Sequence, residues 1–156
     1  QRVGGHSVFR GINNVIVDAK GRVAVPVRYR ELLERHCHGE LVVTIDTQER
    51  SLLVYPRPEW EIIESKVQAL SSIHPETRKL QRLLIGHATD VDLDGSGRLL
   101  IPPPLREYAG LDKKAILIGQ SNKLELFAEE NWVVRREDWL NQEGGPLPPE
   151  LESLSL

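Results

Sequence analysis

One short pattern occurs twice in the sequence, and this repetition restricts the fold more than any other feature. Residues 18–22 read Asp-Ala-Lys-Gly-Arg and residues 94–98 read Asp-Gly-Ser-Gly-Arg, and three apolar residues and a proline follow each copy. An Arg-Glu pair stands at the same place after both, at residues 30–31 and 106–107. Each copy alone is too short to bury a sizeable core, so the repetition predicts two similar halves that share one core.

The sequence predicts the same order of helices and strands in both halves. In the first half, the predicted elements are strands at 12–17, 23–25, 41–46 and 51–55, a short helix from Pro26 and a longer helix from Pro58. The first two strands flank a tight turn and predict a hairpin. The second half repeats this order, and a further helix from Pro75 lies between the halves. Trp60 and Trp132 stand at equivalent helix starts, which favours core or subunit contacts over base stacking.

Composition divides the chain into five parts. We expect an added leader at 1–8, a first half at 9–60, linking helices at 61–87, a second half at 88–141 and an acidic tail at 142–156. The chain has no methionine, which favours a leader that replaces the native start. The tail places glycines and prolines among acids, a composition that buries too little apolar surface to order itself, and predicts a mobile segment.

The general class is an ordinary globular chain. It has 156 residues, of which 40% are hydrophobic, and none of its apolar runs approaches the roughly 20 residues that cross a bilayer. A single cysteine, Cys37, excludes an internal disulfide and fits a reducing compartment. We therefore expect a cytoplasmic protein with no membrane partner.

The charge distribution is more informative than the net charge of −3. No Lys or Arg follows Arg136, whereas five acidic residues do, so residues 1–136 carry 20 basic and 18 acidic side chains. Between residues 9 and 35 there are six basic and three acidic side chains. A solvated face explains such an excess, and so does a nucleic-acid contact.

The first turn is suited to DNA. Asp18 can accept hydrogen bonds from N–H groups of its own turn and Gly21 can adopt a positive φ, so Lys20 and Arg22 are held on a stiff hairpin. An arginine fork matches the two acceptors of guanine, and a lysine acts as a point charge on phosphate. The alternative is that Asp18 and Arg22 only pair with each other and stabilise the turn.

The second turn is less suited to DNA. Asp94 and Gly97 repeat the structural positions of the first turn, but no lysine stands between them, and Asp90 and Asp92 lie close by. Arg98 is therefore a weaker candidate for a DNA contact. Its expected role is to pair with Asp94 across the turn.

Other site classes are poorly supported. Residues 90–95 begin like a calcium loop, but Ile101 stands where that loop requires a glutamate. Residues 36–38, His-Cys-His, contain side chains that can bind zinc, but the sequence has no second cluster at the spacing of a zinc site. We find no nucleophile beside a base and no phosphate-binding glycine loop. We therefore expect no enzymatic activity, metal, cofactor or small-molecule substrate.

The two turns, Phe9-Arg10-Gly11, Asp18 to Pro26 and Gly86-His87-Ala88 together resemble the MraZ family, bacterial transcriptional regulators of the division and cell wall gene cluster. The resemblance implies an α+β, β-rich fold in which tandem AbrB-like halves form a swapped-hairpin β-barrel with peripheral helices. It also implies a ring-like homo-oligomer that binds repeated G-rich boxes of double-stranded DNA in the promoter of its own operon.

On this resemblance we expect a nucleoid-associated, sequence-specific regulator that acts as a repressor. Its main DNA contacts are expected from Lys20 and Arg22, with Arg10 and Arg28 on phosphates and a weaker contact from Arg98. The alternative is an oligomeric protein-interaction module that binds a protein partner through the acidic tail.

We expect the acidic tail to weaken non-specific binding to DNA. Deleting residues 142–156 should tighten binding to random-sequence duplex several-fold at low salt, because the tail repels the DNA backbone, and the gain should shrink as salt rises. Fluorescence anisotropy with full-length and truncated protein measures this. Equal affinity of the two proteins for random duplex would contradict the proposed repulsion.

Overall fold

The computed structural model describes residues 8–142 and 144–155. Their strands are β1 (Phe9–Ile16), β2 (Arg22–Ala24), β3 (Glu40–Ile45), β4 (Leu52–Pro56), β5 (Thr89–Asp92), β6 (Arg98–Leu100), β7 (Lys114–Ser121) and β8 (Leu124–Ala128). Their helices are α1 (Val27–Cys37), α2 (Arg57–Gln68), α3 (Pro75–Leu80), α4 (Pro103–Ala109), α5 (Glu129–Asn141) and α6 (Pro149–Glu152). A π-helical turn, Gln81–Ile85, continues α3. The strand-rich α+β class is confirmed.

The ends of the chain need separate mention. Residues 1–7 of the expected leader lie outside the described residues, and Phe9 already belongs to β1. In the acidic tail, α6 forms a single turn whose residues are all exposed. The predicted leader and the predicted mobility of the tail stay predictions.

The two halves exchange their first strands within one antiparallel sheet. Its strand order is β1-β7-β8-β4-β3-β5. β1 of the first half pairs with β7 of the second, and β5 of the second half pairs with β3 of the first. β4 and β8 join the halves in the middle of the sheet. Neither half therefore completes its part of the sheet without the other.

A second, two-stranded sheet connects the repeated turns. β2 pairs with β6, with Val23 opposite Leu99. The hairpin predicted from residues 12–17 and 23–25 is reduced to a single bridge between Val17 and Val23, because β1 pairs with β7 and β2 with β6. The ladders in the described part of the chain leave β1 and β5 as edge strands of the large sheet, so these ladders do not close a barrel.

One core is built from both halves. Its buried side chains come from the inner faces of both sheets and from α1 and α4, and include Leu33, Leu41, Leu99, Leu105 and Leu117. α2 and α5 cover the outer face of the large sheet.

The two tryptophans of the repeat belong to these outer layers. Trp60 packs on Tyr55 with ring centroids 5.7 Å apart, and Trp132 packs on Phe127 at 5.4 Å. Trp60 is buried and Trp132 is half-buried. The preference for packing over base stacking is confirmed for both.

One carboxyl group is buried on the outer face of the sheet. Glu125 in β8 lies opposite Leu53 in β4 and is 8% exposed. The Ser51 hydroxyl donates to its Oε2, and Gln120 Nε2 donates to its Oε1 at 2.6 Å. Burial raises the pKa of Glu125, and the two hydrogen bonds offset only part of that rise. The folded protein thus holds the Glu125 proton more tightly than the unfolded chain does.

Glu125→Gln should therefore change how stability depends on pH. Because the folded-state pKa is raised, the parent keeps its full stability below the unfolded-state pKa and loses some as pH rises through the folded-state pKa. The variant has no such group, so its free energy of unfolding relative to the parent should increase from about pH 4 to about pH 7. Urea unfolding followed by tryptophan fluorescence measures this difference. A difference that stays constant over that range would contradict the raised pKa.

Candidate nucleic-acid interface

The first turn is closed by main-chain hydrogen bonds to one aspartate. Asp18 Oδ1 accepts from the N–H groups of Lys20 and Arg22, both at 2.9 Å. The Gly21 N–H donates to the Asp18 carbonyl at 2.9 Å, and Gly21 has a φ of 87°. The bond from the Arg22 N–H is the largest cause that lowers the pKa of Asp18 below its ordinary value. The backbone that carries Lys20 and Arg22 is therefore held without help from their side chains.

The second turn repeats this arrangement. Asp94 Oδ1 accepts from the N–H groups of Ser96 at 2.8 Å and Arg98 at 2.9 Å. Gly97 has a φ of 74°, and its N–H donates to the Asp94 carbonyl at 2.9 Å. The main-chain bond from Arg98 is again the first cause of a lowered pKa, here that of Asp94.

The two turns lie side by side and present their arginines on one face. Arg22 and Arg98 lie on the outward side of the β2–β6 ribbon, because the alternating residues Val23 and Leu99 are buried. Asp18 Oδ2 is 3.9 Å from Arg22 Nη1 and 4.0 Å from Arg98 Nη1. The two arginine side chains are 33% and 39% exposed. They therefore form one cationic surface around a shared carboxylate.

The ion pairs of these arginines are long. Arg22 is 3.9 Å from Asp18, and Arg98 Nε is 3.4 Å from Asp94 Oδ2. Exposed pairs of this kind contribute little to stability, typically about 0–1 kcal/mol. Since main-chain bonds already close each turn, pairing with the aspartate leaves the guanidinium groups open to a stronger acceptor. Lys20, at the tip of the first turn, is exposed.

Two other predicted contact residues lie elsewhere. Arg28 Nη2 donates to Asn13 Oδ1 at 2.8 Å, and its guanidinium lies 4.9 Å from the centre of the Tyr29 ring. The Tyr29 hydroxyl donates to the Arg10 carbonyl at 2.6 Å. Arg10 precedes Asp18 by eight residues of extended chain, or about 26 Å at ~3.3 Å per residue. Arg10 and Arg28 thus form a second cationic group at the opposite end of β1 from the turns.

Sequence reasoning missed the arginines that support the turns. A Cβ on Gly21 would come within 2.6 Å of Arg106 Nε in α4, and a Cβ on Gly97 would overlap Arg30 in α1. Arg30 Nε also donates to the Val25 carbonyl. The helix of each half therefore packs under the turn of the other half. The equivalent positions of Arg30 and Arg106 in the repeat were the available signal, but they do not tell which turn each arginine contacts.

The structure also bears on the expectations about metal ligands, the single cysteine and membrane-spanning segments. Across residues 8–142 and 144–155, no group of three or more His, Cys, Asp or Glu side chains could hold a metal ion. Cys37 is buried, and its thiol donates to the Leu33 carbonyl at 3.1 Å. Within the same ranges, no helix has the length and apolar character needed to span a membrane.

Comparison with known proteins matches the whole repeated region. A family model described as "MraZ protein, putative antitoxin-like" matches twice, over residues 8–83 and 84–137. A "Transcriptional regulator MraZ" from Coxiella burnetii (strain Dugway 5J108-111) is 59% identical over 152 residues, covering 96% of this chain and 100% of that protein. Proteins with the same name from Halorhodospira halophila (strain DSM 244 / SL1) and Pseudomonas aeruginosa (strain LESB58) are each 55% identical, with the same coverage.

The second turn offers a matched pair of glycine substitutions. Gly97→Ala should destabilise the fold by at least about 1–2 kcal/mol, because an L-residue is strained at its positive φ. The overlap of the new Cβ with Arg30 adds to this cost. Gly95→Ala should be nearly neutral, because a Cβ there has open space around it. Urea unfolding measures both variants, and equal effects would contradict this account of the turn.

Proposed function

Because this chain belongs to the MraZ family, we propose that it is a sequence-specific DNA-binding transcriptional regulator whose reading element is the surface of the two repeated turns. The observation that carries this proposal is the pair of adjacent, partly exposed arginine side chains, Arg22 and Arg98, on turns closed by main-chain hydrogen bonds. A preorganised cation loses little conformational entropy when it binds an acceptor. The relatives named as transcriptional regulators support the same class of function.

The side chains have different tasks in this proposal. Arg22 reads guanine in the major groove, because its planar fork can donate to both acceptors of that base. Lys20, exposed beside it, binds phosphate and adds affinity without sequence preference. Arg98 contributes less, because its ion pair is the closer one. Arg98 lies 3.4 Å from Asp94, whereas Arg22 lies 3.9 Å from Asp18. Asp18, Gly21, Asp94 and Gly97 keep the turns in shape.

Arg10 and Arg28 bind phosphates farther along the DNA. Their separation from the first turn, about 26 Å at ~3.3 Å per residue, is less than one turn of duplex, about 34 Å. The same protomer can therefore contact one DNA segment at both ends of β1. These two contacts position the protein and carry no sequence information.

The protein acts as a ring-like homo-oligomer of chains in which two AbrB-like halves exchange strands. The exchanged strands β1 and β5 support the swapped arrangement. Exposed apolar side chains on α5, Val133 and Val134, support contacts between copies. Head-to-tail contacts close a ring when the rotation permits. Several weak turns on one ring then gain affinity from effective concentration, so the spacing of the DNA boxes contributes to specificity.

The targets are repeated G-rich boxes in the promoter of the protein's own operon within the division and cell wall cluster, where it acts as a repressor. This places the protein in the cytoplasm, at the nucleoid. No enzymatic activity is part of the proposal.

Arg22→Ala tests the reading element. The variant should lose about 1–3 kcal/mol of discrimination between a duplex with repeated G-rich boxes and a scrambled duplex, because one bidentate guanine contact is removed. Arg98→Ala should lose less. Fluorescence anisotropy at two salt concentrations gives the affinities, and analytical ultracentrifugation establishes that the oligomer is intact.

Arg78→Ala is the matched control, because Arg78 is an exposed arginine on α3, away from the turns. It should bind both duplexes like the parent. Full discrimination retained by Arg22→Ala would show that Arg22 only stabilises the turn. Recovery of one stoichiometric protein partner by a parent that does not bind the boxes would favour the protein-interaction module instead.

A further inference from the structure

A groove of about 630 Å³ runs beside the first turn. Its wall on one side is the turn itself, at Asp18 and Ala19. The opposite wall belongs to the second half of the chain and consists of Arg106 in α4 and residues 111–114, which lead into β7. This wall is present because the strand exchange brings β7 alongside β1.

Two lysines of the second half lie in this wall. The Val17 N–H donates to the Lys113 carbonyl at 2.8 Å, and Ile16 is the pairing partner of Lys114. These contacts place both lysines next to the start of the first turn. Both are exposed, and neither makes an ion pair with any other described residue. Their ammonium groups are therefore available to a ligand.

The equivalent position beside the second turn has the opposite charge. There the Leu93 N–H donates to the Gly39 carbonyl at 2.8 Å, and Asp92 pairs with Glu40. Glu40 thus occupies the place that Lys114 has beside the first turn. Arg57 Nη1 lies 3.6 Å from Glu40 and offsets part of its charge. The backbone arrangement is repeated, but Glu40 stands in the place of Lys114 and Gly39 in the place of Lys113.

We propose that Lys113 and Lys114 form, with Arg106, a phosphate-binding groove that holds the DNA backbone against the first turn. This inference rests on the proposed function and adds phosphate-binding residues of the second half beside the first turn. It also accounts for the smaller contribution of the second turn, because DNA beside that turn meets Glu40 where DNA beside the first turn meets Lys114.

The carboxylates of the groove do not cancel its charge. Asp18 is already engaged by main-chain N–H groups and by Arg22, and Asp112 is exposed beside Lys113. Three cations line the groove with these two carboxylates, namely Arg106, Lys113 and Lys114, and Arg22 lies 3.9 Å from Asp18. The net charge is positive at the place where the backbone of a bound duplex would pass.

Lys113→Gln combined with Lys114→Gln tests the groove, with binding measured on the full chain between about 0.1 and 0.3 M salt. Each phosphate contact contributes about 0.9 to the slope of log affinity against log salt. The double variant should therefore lose about two units of slope and bind roughly 30-fold more weakly near 0.15 M salt, for each protomer in contact with DNA. The loss should be equal for box and scrambled duplexes, because phosphate contacts carry no sequence information.

Lys66→Gln combined with Lys79→Gln is the matched control, since it removes the same charge from exposed positions on α2 and α3. Its salt slope should equal that of the parent. Thermal unfolding and analytical ultracentrifugation verify that both double variants fold and assemble.

The outcomes separate the two proposals. A parent that binds the boxes and a Lys113/Lys114 variant with unchanged salt slope would overturn the groove and leave the proposed function standing. An equal loss in both double variants would also overturn it, because the effect would then reflect net charge alone. A parent that binds neither duplex would overturn the proposed function itself.

Discussion

The exchange of first strands between the two halves is the constraint on which the rest of the structure depends. β1 has an eight-residue ladder with β7, and β5 pairs with β3. Because these ladders join residues far apart in the chain, the two halves share one core. The exchange also brings the two repeated turns together at the β2–β6 ribbon. The cationic surface is thus a consequence of how the sheet is completed.

The shape of each turn and its position in the fold have different causes. Each turn is closed by its own aspartate through main-chain hydrogen bonds within five residues. Each is then supported from below by an arginine of the other half, Arg106 under Gly21 and Arg30 under Gly97. The arginine side chain of each turn is therefore not needed to close that turn. The repeat therefore supplies two equivalent supports, whereas the charges around them differ.

Much of the fold could be predicted from local signals. The strands, the proline-initiated helices and the packing of Trp60 and Trp132 follow from periodicity and from the repeat, because those signals depend on neighbouring residues. The pairing partners of β1 and β2 did not follow, because strand pairing is decided by distant contacts. The π-helical turn at Gln81–Ile85 also has no simple sequence signal. Of the candidate site, the sequence indicated the turns, but not which turn Arg106 contacts, nor the lysines proposed at residues 113 and 114.

By itself, the sequence determined that there are two halves, and that each contains a tight turn with an aspartate, a glycine and an arginine. These features rest on conformational preferences and hydrogen bonds confined to a few residues. Only the tertiary structure decided which strand lies beside which turn. Lysines stand next to the first turn and Glu40 next to the second because each half completes the sheet of the other. The electrostatic environment of each turn is therefore set by residues far away in the chain.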